Sequence, residues 1–262
     1  MPIELLAGVE VSYDPARHDV VLGPGVQAEA WRTRRAAEMR DVLPPEVSAE
    51  IDPDEPLYSM INGVYHTGDL AMASRSPLRY ELTVLPPRRL GREYVKTLGH
   101  IHSPAPSGAL TYAEVYEVLL GRAHFLFFRM HPDGEEVEEM VVVEAGPGDR
   151  VVVPPGYHHL SVNPGDEAMI FSDLIDRSAA TDYSLLRARG GAPYVCVATA
   201  TGPRYEPNPR YGSAPAPRHV RARDLPGHEL LPRIPLYRMA LDAPGALAFL
   251  SDPAPYTHLY EL

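Results

Sequence analysis

From Leu57 onward the chain alternates short apolar runs with Gly, Pro and Asp. The runs are "YELTVLPP", "YVKTLGHIH", "EVYEVLLG", "AHFLFFRM", "EEMVVVEA", "DRVVVPPG" and "AMIFSDLI". Each is β-branched or aromatic and is bounded by turn residues at hairpin spacing, which predicts strands. Many short strands with Gly/Pro turns predict an antiparallel sandwich or barrel, an all-β dominated fold. One segment reads as a helix: "VQAEAWRTRRAAEMRDVL", Val26 to Leu43, rich in Ala, Glu and Arg and stopped by Pro44-Pro45. The "PPEVSAEIDPDEP" that follows reads as an exposed acidic loop with room for a short helical turn. After Tyr211, "GSAPAPRHVRARDLPGHE" reads as a linker, and the last stretch, from Arg233, predicts one or two further strands added to a sheet edge or to a partner. No fixed-period repeat is present.

Composition narrows the function classes. The chain has 262 residues, 45% of them hydrophobic, enough for one large domain or a domain with an extension. A formal charge of −11 argues against nucleic acid as the main partner, since a phosphate backbone needs a basic footprint. A small anion held by a few local donors remains compatible with it. No apolar run reaches the ~18 residues of a membrane span. The N-terminus lacks the basic and apolar regions of a signal peptide. With the single cysteine, Cys196, this makes a cytoplasmic location the expectation.

The chemistry concentrates in "HIHSPAPSGALTYAEVYEVLLG". In a strand, residues i and i+2 share a face, so His100 and His102 converge if "GHIH" is extended. If Ser103 to Ala113 is a hairpin connection, Glu114 returns beside them. "GDRVVVPPGYHHLSVN" offers a third imidazole, His158 or His159, only one of which can point inward. Three neutral imidazoles and one carboxylate suit a divalent Fe, Mn, Ni, Co or Zn ion with positions left for water or substrate.

The spacing of these residues resembles the paired motifs of the cupin superfamily. Gly148, Pro154, Gly156, His159 and Asn163 match the second motif position by position, and this selects His159 over His158, which falls to the rim or exterior. The first motif departs twice: Tyr94 stands where Gly opens the pattern, and the gap between His102 and Glu114 is longer than usual. That gap places a long loop at the mouth of the site.

More narrowly, "YELTVLPPRRLGREYVKTLGHIH", "AEVYEVLLG", "VPPGYHHLSVNPGDEAMIF", "DYSLL" and "PNPRY" resemble the cupin-type phosphoglucose isomerases, over roughly residues 10 to 211. The resemblance implies a cupin double-stranded β-helix (jelly-roll) barrel over 1–211, with a short N-terminal helical segment, and a C-terminal extension over 212–262. It implies metal ligands at His100, His102, Glu114 and His159. Sugar-phosphate contacts fall at Tyr58, Thr83, Thr97, Gly99 and Tyr183, and catalytic roles at Glu114 and Tyr116. The implied reaction is metal-dependent interconversion of glucose 6-phosphate and fructose 6-phosphate, by a homodimer with no nucleic-acid or membrane partner. The alternatives are a cupin dioxygenase, because the same donors suit an O₂-activating iron, and a non-catalytic sugar-phosphate-binding cupin. Two departures motivate the last: Thr181 and Ile175 stand where the family has a histidine and a tyrosine. His158 or the C-terminal extension is the expected substitute for them.

Strict alternation would put Thr97 on the face opposite His100, with Lys96 toward the site. Thr97 therefore needs an irregularity, for which Gly99 is the candidate bulge, and Lys96 is then expected to turn out to the surface.

Overall fold

The computed structural model describes residues 3–5, 7–108 and 110–262. The protein is mostly β with a few short helices. Its central layer is a six-stranded sheet in the order Arg150–Val153, Glu114–Leu120, Met169–Asp176, Leu78–Leu85, Pro56–His66, Val26–Arg35, antiparallel throughout. A four-stranded sheet orders His158–Val162, Ala123–Met130, Val137–Ala145 and Arg218–Arg221, the last pair parallel.

The six-stranded sheet is apolar on both faces because separate cores lie on either side of it. Tyr58, Leu85, Tyr116, Val118 and Phe171 face the four-stranded sheet and pack with Phe125 and Phe127. The Tyr116, Phe125 and Phe171 rings lie 4.8–5.4 Å apart, pairwise, in tilted or edge-on contacts. Alternate residues of the same strands, among them Ile61, Leu82, Val84, Val115 and Ile170, form the second core. It is completed by Leu5, Val11 and Tyr13 at the N-terminus and by Leu236, Met239, Leu247 and Phe249 at the C-terminus.

Three expectations are corrected. The segment Val26–Leu43 is not one helix. Val26–Arg35 is a strand paired with Pro56–His66, from Val26↔His66 to Arg34↔Tyr58, and only Ala36–Met39 and the 3-10 turn Arg40–Val42 are helical. Helix propensity separates ordinary residues by at most about 0.7 kcal/mol each, so a ladder to the neighbouring strand outweighs it. "YVKTLGHIH" is not a continuous strand: Glu93–Tyr94 and Ile101–His102 are short, and Lys96 and His100 make single bridges to Val162 and His159. The C-terminal stretch adds no strand. It forms the helix Leu236–Asp242, capped by Pro235, and the 3-10 helices Pro244–Leu250 and Ala254–Leu259, each with a proline in its first turn. The edge strand comes instead from the linker, as Arg218–Arg221. The acidic loop contains one short helix, Pro45–Glu50.

A buried ion pair fastens the C-terminal stretch to the central sheet. Arg150 Nη2 lies 2.9 Å from Glu117 Oε1, and the amide of Leu236 donates to Glu117 Oε2 at 2.9 Å. The same guanidinium donates to the carbonyls of Pro232 and Ile234. Among the described residues, no helix is long and apolar enough to cross a membrane.

Candidate metal centre

His100 and His159 meet across an antiparallel bridge, each amide donating to the other's carbonyl, at 3.0 and 2.8 Å. His102 follows two residues later, in a short strand paired with Thr181–Asp182. The long connection after it folds back as a hairpin: Ala105 donates to Leu110, and Tyr112 donates to Ser103. Thr111 Oγ1 also accepts from the Gly156 amide at 2.8 Å, which ties this loop to the second motif. Ala109 lies outside the described residues. The hairpin returns Glu114 beside the histidines, and ligating atoms of His100, His102, Glu114 and His159 all lie within 4.8 Å of one another.

Each ring is aimed by its other nitrogen. His102 Nδ1 lies 3.1 Å from the carbonyl of Tyr112, and His159 Nδ1 lies 3.3 Å from that of Tyr157. A carbonyl can only accept, so both Nδ1 atoms carry the proton and both Nε2 lone pairs face the cluster. Burial, and secondarily repulsion from His159, lowers the His102 pKa to about 4; burial alone lowers His159 to about 4. His100 lies well below its ordinary value for the same reasons, burial first. Glu114 is shifted up by burial, against the attraction of His102.

These donors fit a divalent ion. Two ligands at about 2.1 Å from a common ion stand roughly 3.0 Å apart at a right angle and roughly 3.4 Å apart at a tetrahedral one. Here His100 Nε2 is 3.1 Å from His102 Nε2 and 3.2 Å from His159 Nε2, and Glu114 Oε2 is 3.5 Å from the Nε2 of both His102 and His159. Glu114 Oε2 is buried and has no hydrogen-bond partner. Converging imidazole lone pairs beside an unpartnered carboxylate oxygen are unfavourable unless a cation joins them.

The cluster lines a cavity of about 190 Å³. Tyr58, Thr83, Thr97, Gly99, Tyr116 and Tyr183 line the same cavity. Thr97 reaches it because Gly99 takes φ +81° and breaks the alternation, and its Oγ1 accepts from the Ser161 amide at 2.9 Å. Tyr58 Oη accepts from the Leu98 amide at 3.2 Å. The Tyr183 ring sits 5.6 Å from that of His100. Lys96 turns away from the site as the bulge requires, but not to the surface: it is buried, with its ammonium 2.5 Å from Glu93. His158 stacks on Phe128 at 4.9 Å, outside the cluster, and neither it nor the C-terminal stretch lines the cavity.

Arg32, Arg34, Asn62, Arg79, Glu81, Ser161 and Asp173 also line the cavity and were not singled out from the sequence. For Arg79 and Glu81 a signal existed, because they share a strand face with Thr83. Arg34 was hidden by the helix expectation. Its guanidinium lies 5.6 Å from the Tyr183 ring and 6.0 Å from the Tyr58 ring.

A β-rich fold with a buried His/Glu cluster on a cavity defines a candidate metal-binding β protein, and comparison with known proteins gives the family. The family model for glucose-6-phosphate isomerase (GPI) matches residues 33–210, and the chain belongs to that family. The glucose-6-phosphate isomerase of Thermococcus litoralis is 35% identical over 113 residues, covering 43% of this chain and 54% of the relative. That of Pyrococcus abyssi is 36% identical over the same shares. The chain thus spans about half the length of the curated relatives it matches. A solved structure described as a sugar phosphate isomerase from a cupin superfamily, from Silicibacter pomeroyi, aligns with 61% of this chain and 80% of its own, at 18% identity and a TM-score of 0.31.

Proposed function

We propose that the chain interconverts glucose 6-phosphate and fructose 6-phosphate, using a divalent first-row metal held by His100, His102, Glu114 and His159. The carrying observation is the convergence of three neutral imidazoles and an unpartnered carboxylate oxygen on the wall of a small polar cavity. Two sheets sharing one core, with the ligands on strands from both, support a cupin double-stranded β-helix over residues 1–211. The Val26–Arg35 strand is paired on one side only and exposes Trp31, which supports this edge as the surface for a homodimer.

When bound, the metal supplies Lewis-acid polarisation of a substrate carbonyl or hydroxyl. The protein's own groups do the rest. By the proton-transfer route, aldose–ketose exchange uses a base that takes a proton from one carbon and returns it to the next. Glu114 suits this, because burial raises its proton affinity above that of an exposed carboxylate. Tyr116 stands on the same strand face two residues on, with its hydroxyl held protonated by burial and by the Glu114 charge, so it can donate to a substrate oxygen. Arg34, Thr97, Thr83, the Gly99 backbone, Tyr58 and Tyr183 hold the phosphate, with Arg34 supplying the charge.

The test is conversion of fructose 6-phosphate by wild type and His159→Ala, each loaded with a defined metal. The proposal expects conversion by wild type and a loss of at least about 100-fold in the variant. No conversion with any first-row metal would overturn it. Oxygen consumption with a phosphate-free substrate would instead indicate the dioxygenase chemistry, and tight sugar-phosphate binding without conversion the binding protein.

A further inference from the structure

Beside the ligands, four neighbouring strands each place one polar residue in a single cross-strand row. Asn62 lies beside Glu81 and donates to its Oε1 at 2.5 Å. Glu81 pairs in register with Asp173, and Asp173 with Tyr116. Arg79 is ion-paired with Glu81. All five residues line the cavity. Asp173 is only 3% exposed, and its Oδ2 has no hydrogen-bond partner.

As a device for stability this row makes little sense. An unpartnered buried carboxyl oxygen is costly, and Glu81 and Glu114 stand near enough to repel it. One arginine serves three carboxyl groups. A ligand with several hydroxyl donors would satisfy the free acceptors. A phosphate would be repelled by them and drawn to Arg34. That residue's rung partner, Tyr58, lies four residues along the strand from Asn62, a span of about 13 Å.

We propose that Asn62, Glu81 and Asp173 form a subsite for substrate hydroxyls, so that the cavity binds a polyol phosphate in one direction, with carboxyls at the hydroxyl end and Arg34 at the phosphate end. This deepens the sugar-phosphate reading above and rests on it. Asp173 Oδ2 accepts from a hydroxyl, and Asn62 and Glu81 present the remaining amide and carboxylate groups to its neighbours. The row selects polyhydroxylated phosphates over apolar ones of equal length.

The test is calorimetric binding of two probes to the metal-loaded full chain: glucitol 6-phosphate, and hexyl phosphate, which has the same length without the hydroxyls. For Asp173→Leu the expected result is at least about tenfold weaker binding of glucitol 6-phosphate, with hexyl phosphate within about twofold and a melting temperature unchanged or higher. A merely structural Asp173 would instead lower the melting temperature and weaken both probes alike, which would overturn the subsite. Unchanged glucitol 6-phosphate binding would overturn it too. Asn62→Ala, at a less buried position, repeats the comparison if Asp173→Leu folds poorly, with the same two outcomes. Wild type that converts fructose 6-phosphate while the variants bind normally removes this subsite alone. Wild type blind to both phosphates and inactive removes the sugar-phosphate reading itself.

Discussion

At His124 the chain buries an imidazole whose Nδ1 meets the Tyr205 hydroxyl at 2.7 Å and whose Nε2 has no partner. Burial lowers its pKa from 6.5 to about 4. The folded state therefore holds His124 neutral at a pH where the unfolded chain already takes up the proton. Its contribution is complete above pH ~6.5 and is lost as pH falls toward ~4, by at most about 3 kcal/mol. Thermal melts from pH 7.5 to 4 should fall less steeply for His124→Phe than for wild type. Identical slopes would contradict this assignment. The side-chain scale also shows why His159, not His158, belongs to the cluster. Adjacent strand residues face opposite ways, and His158 is taken up by Phe128.

Among the elements, the attachment of the C-terminal stretch is the most sharply testable. Glu117→Ala leaves Arg150 as an uncompensated buried charge and removes the acceptor of the Leu236 amide. The expected cost is about 3–5 kcal/mol, with residues beyond Leu231 cut first in limited proteolysis. Equal cutting rates in variant and wild type would show that the clamp does not hold this stretch. Apart from the segment Tyr94 to His102, the runs from Leu78 to Asp176 were legible as strands because each is short, β-branched and bounded by turn residues. Val26–Arg35 was not. Its Ala, Glu and Arg favour helix locally, and only the partner strand Pro56–His66, which the local pattern does not reveal, decides otherwise. The C-terminal stretch was misread for a related reason: its apolar residues fill a core whose other half is built from distant strands.

On the scale of the whole molecule, an acidic chain of formal charge −11 is proposed to bind an anion. The two are reconciled locally: Arg32 and Arg34 line one cavity, while Arg79 there is taken up by Glu81. The four proposed ligand positions were readable because ligation restricts both residue type and spacing, and the side chains of His100, His102, Glu114 and His159 do come together. The row from Asn62 to Tyr116 was not readable, because it exists only once four strands are in register. The central claim is that one ion in this cluster drives the isomerisation. It is tested most directly by fructose 6-phosphate turnover measured against metal bound per chain. Turnover should be absent in the metal-free protein, rise in proportion to occupancy, and level off at one ion per chain. Full turnover without metal, or none at full occupancy, would contradict it.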